Sequence, residues 1–476
     1  GIGGQPSGMP PLTDRDANEK WRLCQNGHLG SHRKRKNNEC ITITIHQWRD
    51  NMSVWIKNAK MLGQKEELIP VEIYVKDDKI AAIGQDLQGT AEDATVIDAK
   101  GGLVTPGLID VHVHLREPGF TYKETIETGT QAAARGGFTT VCAMPNLNPV
   151  PDTADKFAAI QQLIKDTAII KVKQYAPITE NLRSDVLTDQ KQLLEAGAFA
   201  FTNDGVGVQT AGTMYLAMKE AAKNNVALVA HTEDDSLLFG GVMHKGTRSD
   251  ELDLPGILSV TESTQIARDV LLAEATGCHY HVCHVSTKES VRVIRDAKRA
   301  GIHVTAEVAP HHLILIDGSI PTDTAIYKMN PPLRGAEDRA ALIEGLLDGT
   351  IDCIATDHAP HGEEEKQGGM VGAPFGIVGI ETAFQLMYSN FVLGGVFTLK
   401  QLVDWMTVKP AALFGMGSGT LDIGSQADIA IFDLANEYEI RSEDFLSKAT
   451  NTPFTGWKVK GETLYTLVDG KVVYSK

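Results

Sequence analysis

Two histidines separated by one residue follow a buried apolar run, and their types and spacing suit metal binding. His112 and His114 come directly after the apolar stretch 102–109. Side chains two positions apart on a strand point to the same face, so both imidazoles should project together. Such a pair supplies half of a typical metal site, although two hydrogen-bonded core histidines would give the same pattern. The rest of the chain decides between these two interpretations.

Four further apolar runs end in a side chain that could bind a metal. The residues at these ends are Asp204, His231, His284 and Asp357. Buried carboxylates are costly unless they are paired or bind a cation, and packing alone does not explain so many polar ends. Histidine and carboxylate ligands without cysteine suit zinc or manganese, with one position open for water. The set allows either one ion or two ions that share a bridging carboxylate.

The elements that must position these residues alternate between short apolar strands and amphipathic helices. Eight strands are predicted at 108–115, 138–145, 170–177, 198–203, 227–232, 279–286, 303–309 and 352–358. The helices between them include 125–135, 185–195, 214–223, 260–276 and 290–300. This alternation predicts an α/β fold, a (β/α)8 TIM-type barrel whose strands end at one catalytic rim. A doubly wound open sheet is the alternative fold.

Both ends of the chain are rich in short strands, and they predict a second, smaller domain. Strand patterns fill the stretch from 53 to 103 and return at 427–433 and 463–468. We therefore expect a small β-sandwich domain formed from both termini, 52–104 and 418–476, beside a catalytic barrel at 105–417. Residues 1–51 carry eight basic and five acidic residues and have no sustained periodicity. They are predicted to be a leader or expression-derived segment outside the fold.

The composition restricts the class of protein and its partners. A hydrophobic content of 42% and a charged content of 22% are typical of a soluble globular protein. The sequence has no apolar run long enough to span a membrane and no secretory signal. A net charge of -16 argues against nucleic acid as a partner, and an anionic substrate would need local positive charge. Six scattered cysteines favour a reducing compartment, so we expect a cytoplasmic protein.

Longer motifs give the chain a specific resemblance. They are VHVHLREPG at 111–119, KETIETG at 123–129, MPN at 144–146, CHVST at 283–287, MNPPLR at 329–334 and TDHAPH at 356–361. Over nearly all of 52–476 the chain resembles the amidohydrolase superfamily, and within it the bacterial class I dihydroorotases. The resemblance implies a metal-dependent cyclic amide hydrolase that interconverts N-carbamoyl-L-aspartate and L-dihydroorotate in pyrimidine biosynthesis through a metal-bound hydroxide. It also implies a homodimer that acts on a small-molecule substrate.

The resemblance also implies a role for each matching residue. The implied ligands of one or two Zn²⁺ ions are His112, His114, Asp204, His231, His284 and Asp357. Asp204 would bridge two ions, and Asp357 would also serve as the catalytic general base and acid. The implied substrate contacts are His114, Arg116, Asn146, Asn330, His361, Phe375 and Gly376.

Arg116 is the predicted determinant of substrate choice. It lies two residues beyond His114, so on a continuing strand its guanidinium would face the metal pocket. There it could hold a carboxylate through two parallel hydrogen bonds. The alternative is a salt bridge that closes the mouth of the barrel.

Two other functions stay open at this point. A hydantoinase, dihydropyrimidinase or allantoinase would use the same barrel, but those relatives resemble one another in bridging their metals with a carboxylated lysine on strand four. The stretch 198–204 contains no lysine. A catalytically inactive scaffold homologue should have lost ligands, whereas this chain keeps all six. Asn203, Thr232 and Leu147 depart from the dihydroorotase pattern without removing a ligand.

Overall fold

The computed structural model describes residues 53–476, so the predicted leader at 1–51 lies outside the described residues. The described chain begins with β1 (Ser53–Leu62), β2 (Leu68–Lys76), β3 (Lys79–Gly84), β4 (Thr95–Asp98) and β5 (Leu103–Pro106). In β2 the buried residues Val71, Ile73 and Val75 alternate with less buried ones, as expected for a strand with one face on the core.

The central strands form the barrel. They are β6 (Leu108–Val113), β7 (Phe138–Ala143), β8 (Lys171–Gln174), β9 (Phe201–Thr202), β10 (Leu228–Ala230), β11 (Met243–His244), β12 (Gly256–Ile257), β13 (Tyr280–Val282), β14 (Val304–Val308) and β15 (Cys353–Ile354). Apart from the separate pair β11 and β12, they form the parallel sheets β6-β7-β8 and β9-β10-β13-β14-β15. Parallel bridges from Ala176 to Phe201 and from Val113 to His358 join the two sheets at both edges. The eight-stranded barrel is therefore closed and confirmed, which excludes the doubly wound open sheet.

The helices alternate with these strands. They are α1 (Ile126–Arg135), α2 (Ala154–Thr167), α3 (Gln190–Glu195), α4 (Ala211–Lys223), α5 (Thr247–Glu251), α6 (Val260–Thr276), α7 (Lys288–Arg299), α8 (Pro310–Ile314), α9 (Ala336–Leu347), α10 (Ala383–Met387), α11 (Leu399–Met406) and α12 (Val408–Leu413). Threonine hydroxyls accept a backbone hydrogen bond at the start of α1, α2, α4 and α7 and so fix where these helices begin. The prediction of a helix over 185–195 was wrong in its first half, because Asp189 caps α3 and the helix begins only at Gln190.

Strands from both ends of the chain share one sheet. The C-terminal strands are β16 (Ile429–Asp433), β17 (Tyr438–Glu439), β18 (Lys458–Val459), β19 (Glu462–Val468) and β20 (Lys471–Ser475). The sheet order is β20-β19-β16-β5-β1-β2-β3, with β4 paired to β1. Lys79 at one edge bridges to Gln426 just before β16, so the sheet folds back on itself around Ile56, Ile73 and Ile431. The domain boundaries at 104/105 and 417/418 stay a prediction.

Apolar side chains fill the barrel below its C-terminal rim. Ile109, Val111, Met144, Tyr175 and Val229 belong to this inner cluster, while a larger cluster lies between the strands and the helices. Buried polar residues also lie within the strands, among them Asp110, His281 and Glu307, and they are hydrogen-bonded there. The reactive groups lie at the rim, where the strands end. Among residues 53–476, no helix combines the length and the hydropathy that crossing a bilayer requires.

Candidate active site

The six predicted metal ligands lie together at the C-terminal rim of the barrel. Their positions are the end of β6 for His112 and His114, and the segments after β9, β10, β13 and β15 for Asp204, His231, His284 and Asp357. This rim is where barrels of this type concentrate their reactive groups. The structure therefore brings together side chains that are up to 245 positions apart in the chain.

One half of the cluster is formed by two imidazoles and two carboxylates. Asp357 Oδ1 lies 3.1 Å from His112 Nε2 and 3.0 Å from His114 Nε2. Asp204 Oδ1 lies 3.3 Å from His112 Nε2, and its Oδ2 lies 3.2 Å from His114 Nε2. Both imidazole Nε2 atoms therefore face the oxygens of both acids.

The other half is formed by His231 and His284. Their Nδ1 and Nε2 atoms lie 3.0 Å from each other. They lie 3.8 Å and 3.9 Å from Asp204 Oδ1. Asp204 Oδ2 thus faces His114, and its Oδ1 faces His112, His231 and His284, so this one carboxylate contacts imidazoles of both halves.

The donor atoms fit a divalent cation. His112 Nε2 and Asp204 Oδ1 are buried and have no hydrogen-bond partner among the described residues. Such atoms are costly in a protein interior unless an ion or a water satisfies them. Ligands bound to one zinc ion at about 2.0–2.2 Å stand roughly 3.3–3.6 Å apart in tetrahedral geometry. The 3.0–3.3 Å between the paired donor atoms of the first half is close to this spacing.

The charges of the cluster favour a cation at the same point. Burial raises the pKa of Asp204 and of Asp357, but the imidazoles of His112 and His114 outweigh burial and hold both pKa values well below their ordinary range. Burial also opposes the charging of His112, yet Asp204 and Asp357 raise its pKa well above the ordinary value. The two ionised carboxylates therefore stabilise positive charge between them.

Three of the four imidazoles have their outward ring nitrogen held by an oxygen. The pairs are His112 Nδ1 with Glu307 Oε2 (3.1 Å), His114 Nδ1 with Asn146 Oδ1 (2.9 Å) and His231 Nε2 with Glu233 Oε2 (2.6 Å). An oxygen acceptor requires a proton on the outward nitrogen, so in the neutral ring the inward nitrogen keeps its lone pair. This is the tautomer in which a neutral imidazole binds a metal, and such oxygen partners commonly orient metal-binding histidines.

A cavity of about 170 Å³ opens above the cluster. All seven residues predicted to contact substrate line it: His114, Arg116, Asn146, Asn330, His361, Phe375 and Gly376. Asp204, His231, His284 and Asp357 also line it, whereas His112 does not. Five of the six predicted metal ligands and all seven predicted substrate contacts therefore border one space.

Arg116 lines this cavity, but its backbone conformation differs from the predicted one. The expectation that it continues the strand face was wrong, because β6 ends at Val113 and Arg116 has a left-handed backbone with φ 64°. Its Nε donates to Pro360 O at 3.0 Å, and it forms no salt bridge with a carboxylate among residues 53–476. Burial lowers its pKa to about 10, so the guanidinium stays charged at neutral pH. A buried, unpaired cation therefore borders the cavity.

His361 lines the cavity beside Arg116 as an uncharged imidazole. Burial, together with Arg116 and Lys123, lowers its pKa to about 2. Its Nδ1 accepts from Lys123 Nζ at 3.1 Å, so its Nε2 carries the proton and donates to Phe375 O at 2.8 Å. Gly376 follows with φ 137°, and a Cβ there would lie 3.0 Å from His361 Nε2. Both the backbone conformation and the lack of space for a Cβ therefore require glycine at position 376.

Three functional partners escaped the sequence reasoning. Glu233, Glu307 and Lys123 hold the side chains of His231, His112 and His361, respectively. A signal existed for Glu307, because an acid within the apolar run 303–309 must have a buried partner. The roles of Glu233 and Lys123 depend on contacts that no local pattern reports.

Comparison with known proteins places the chain in a family. A family model described as "Dihydro-orotase-like" matches residues 101–290. The chain is 68% identical over 425 residues to a protein named dihydroorotase from Enterococcus faecalis, covering 89% of this chain and 99% of the relative. It is 61% identical over 419 residues to a dihydroorotase from Staphylococcus aureus, with 88% and 98% covered.

Solved structures agree at the level of the superfamily. An L-hydantoinase (dihydropyrimidinase) from Arthrobacter aurescens superimposes with a TM-score of 0.78 at 29% identity, over 89% of this chain and 96% of that chain. A dihydropyrimidinase from Brevibacillus agri gives 0.77 at 26% identity, over 89% and 95%. The higher identity to the named dihydroorotases, across almost their whole length, shows that this chain belongs to the dihydroorotase family of the amidohydrolase superfamily.

Proposed function

We propose that this chain is a dihydroorotase, which cyclises N-carbamoyl-L-aspartate to L-dihydroorotate and hydrolyses it in the reverse direction. The observation that carries the proposal is the buried Arg116, which has no carboxylate partner among residues 53–476 and lines the same cavity as five of the six potential metal ligands. A cation without a carboxylate partner in the protein is complementary to a carboxylate on the substrate. Dihydroorotate carries one carboxylate, and N-carbamoyl-L-aspartate carries the same carboxylate and a second one that ring closure consumes.

We propose Zn²⁺ as the metal, with one or two ions per chain. The ligands would be His112, His114, Asp204, His231, His284 and Asp357, with Asp204 as the bridge if two ions bind. When bound, such an ion lowers the pKa of a coordinated water and polarises a carbonyl group. The lone pairs that face each other across the cluster and the two ionised carboxylates support this assignment.

Side chains that line the cavity would transfer the proton and bind the substrate carboxylate. In the hydrolytic direction Asp357 accepts a proton from the attacking water and passes it to the ring nitrogen that leaves. Its low pKa keeps it ionised at neutral pH, as a base must be. Arg116, assisted by His114, Asn146 and His361, holds the substrate carboxylate.

The ring of the substrate would contact Asn330 and the backbone of Phe375 and Gly376. These three residues line the cavity, with Phe375 O beside His361 Nε2 and Asn330 beside Glu233. A fixed ring and a fixed carboxylate together present the scissile amide to the metal cluster, which converts binding energy into orientation.

We also propose a cytoplasmic homodimer that has no nucleic acid or membrane partner. The net charge of -16 speaks against nucleic acid. The four described cysteines are free and buried, which agrees with a reducing compartment. The homodimer rests on the family resemblance alone.

The test is turnover of rival substrates by the metal-loaded chain. L-Dihydroorotate should be hydrolysed with a kcat/KM at least about 30-fold above those for hydantoin, dihydrouracil and allantoin, since a buried charge pair contributes about 2–5 kcal/mol. Equal or faster turnover of an uncharged ring would indicate a hydantoinase-type enzyme. Metal binding without turnover of any of the four would indicate an inactive scaffold.

A further inference from the structure

Two asparagines border the cavity, and their hydrogen bonds fix which end of each amide faces inward. Asn146 Oδ1 lies 2.9 Å from His114 Nδ1. Asn330 Nδ2 lies 2.5 Å from Glu233 Oε2. An amide has one accepting end and one donating end, so each asparagine presents to the cavity the end that its partner leaves over. The two asparagines therefore present opposite ends.

Asn146 presents its donor. His114 Nε2 faces the carboxylates of the cluster, so Nδ1 carries the proton that Asn146 Oδ1 accepts when a metal is bound. The Nδ2 atom of Asn146 lies on the side of Gly205, where an added Cβ would be 3.4 Å away. Gly205 and Arg116 line the same cavity, and an N–H donor there suits a substrate carboxylate.

Asn330 presents its amide oxygen to the cavity, because its Nδ2 group donates to Glu233. The carboxylate oxygen Oε2 of Glu233 receives both His231 Nε2 at 2.6 Å and Asn330 Nδ2 at 2.5 Å. A carboxylate oxygen accepts, so N–H groups must face it on both sides. The amide oxygen of Asn330 is thereby left for the cavity.

The backbone around Glu233 is held as firmly as its side chain. Glu233 N donates to Gln265 Oε1 at 2.9 Å, and Gln265 Nε2 donates to Glu233 O at 2.9 Å. Gln265 lies on the long helix α6, and both side chains are buried. Glu233 is therefore a fixed reference for the amide of Asn330.

We propose that Glu233 is a positioning residue that orients Asn330 to offer an acceptor oxygen, so that the cavity selects ligands with a ring N–H opposite a carboxylate. This proposal rests on the proposed function, because dihydroorotate carries both groups on one ring. Burying a ring N–H without an acceptor costs binding free energy. The orientation of the Asn330 amide therefore determines which rings bind well.

The first experiment compares Glu233→Met with Glu233→Gln in the full-length chain at saturating metal. Methionine has a similar length but no acceptor oxygen, whereas glutamine keeps an oxygen for both hydrogen bonds and is the matched control. We expect Glu233→Met to raise the KM for L-dihydroorotate about 5- to 10-fold, which corresponds to the loss of one hydrogen bond. The lost contact with His231 should appear separately, in kcat and in metal content. The KM of Glu233→Gln should lie at least about threefold below that of Glu233→Met, because its amide oxygen can still accept from Asn330.

A double-mutant cycle with Asn330→Ala separates positioning from a structural role. If Glu233 acts through Asn330, then Glu233→Met adds no further rise in KM when Asn330 is already alanine. Additive effects would overturn the proposal, since Glu233 would then act through His231 or through the fold. Equal KM values for Glu233→Met and Glu233→Gln would overturn it as well.

Substrate analogues keep the proposal testable if Glu233→Met does not fold. Dihydroorotate methylated at either ring nitrogen lacks one N–H, and at least one of the two forms should bind the parent protein much more weakly than dihydroorotate. Asn330→Ala should reduce this discrimination to about threefold or less, because the acceptor is gone. Binding of both methylated forms as tight as that of dihydroorotate would contradict the assignment. A parent protein that neither binds nor turns over dihydroorotate would refute the proposed function, and this inference with it.

Discussion

Among single residues, Asp204 is the one that both halves of the cluster share. Its Oδ2 faces His114 and its Oδ1 faces the other imidazoles. Neutral imidazoles supply lone pairs but no negative charge, so the affinity for a divalent cation depends on the two acids.

Replacing Asp204 should therefore remove the metal. We expect Asp204→Ala to lose at least one ion per chain and to lower kcat/KM by at least about 100-fold, since partners outside the first ligand shell alone contribute 10- to 100-fold. Elemental analysis and turnover of L-dihydroorotate measure both effects. The matched control is Asp155→Ala, which removes an exposed acid of α2 and should change neither quantity. Full metal content with near-normal turnover in Asp204→Ala would mean that Asp204 is not a ligand.

Arg116 decides which ligand enters, because it is the buried cation that meets the cavity without a carboxylate partner. Arg116→Lys keeps a positive charge but loses the planar guanidinium, which can donate two parallel hydrogen bonds to one carboxylate. We expect the KM for dihydroorotate to rise by at least about 30-fold, which corresponds to about 2 kcal/mol of lost binding. The metal content should be unchanged.

The uncharged analogue dihydrouracil is the control substrate for Arg116→Lys. It has no carboxylate, so any turnover of it should change much less than turnover of dihydroorotate. Equal losses on both substrates, or a fall in thermal stability with KM unchanged, would make Arg116 part of the scaffold.

At the scale of elements, apolar runs were enough to locate the eight barrel strands, because strands buried on both faces are continuously apolar. The ends of those runs also led to the metal ligands. The predicted strands were too long, since the chain leaves the ladder at the rim. There Arg116, His284 and Asp357 adopt left-handed backbone with φ 64°, 28° and 51°. Strained backbone of this kind is typical of functional sites and has no simple sequence signature.

The contacts that orient the ligands could not be predicted from the sequence. Glu307 meets His112 across 195 positions, and Asn330 meets Glu233 across 97. Which side chains meet at such separations depends on the register of the strands and the direction of each turn, and a local pattern specifies neither.

The segment that carries Phe375 is held by two buried lysines. Lys328 Nζ donates to Met370 O at 2.7 Å and to Ala373 O at 2.5 Å. Lys366 Nζ donates to Lys328 O at 3.0 Å and to Pro374 O at 2.8 Å. Backbone carbonyls therefore accept hydrogen bonds from both ammonium groups. These bonds fix the conformation of residues 370–374, which lead into Phe375 and Gly376 at the cavity.

This arrangement predicts a pH dependence of stability. Burial, with Lys328 nearby, lowers the pKa of Lys366 to about 7 in the folded state, against about 10.4 in the unfolded chain. Between these values the unfolded chain binds more protons, so the contribution of Lys366 to the free energy of unfolding is least favourable below pH 7 and improves as the pH rises toward 10. Lys366→Met lacks this titration.

The measurement is urea unfolding of both proteins at pH 7 and pH 9. The free energy of unfolding of the parent, minus that of Lys366→Met, should increase between the two values. The control Lys400→Met removes a half-exposed lysine of α11 and should give a nearly constant difference. A constant difference for Lys366→Met would show that Lys366 titrates near its ordinary pKa.

At the scale of the whole molecule, the sheet built from both ends of the chain depends on β1. This strand begins at Ser53 and pairs with β2 on one side and with β4 and β5 on the other. Its first pairs join Ser53 to Lys76 and Val54 to Thr95, so every described pairing of β1 lies beyond residue 52. The C-terminal strand β16 joins the same sheet through β5.

A protein that begins at Met52 should therefore keep the whole sheet, and we expect its metal content, turnover and melting temperature to match those of the full chain. A protein that begins at Gly63 lacks β1 and is the matched contrast. It should fail to fold, because removing a central strand exposes the buried residues Val71, Ile73 and Val75 of β2 and leaves unpaired the backbone groups that β2, β4 and β5 direct at β1. Circular dichroism and a dihydroorotate assay compare the three proteins. Loss of solubility or activity in the protein that begins at Met52 would make residues 1–51 part of the folded enzyme and move the predicted boundary.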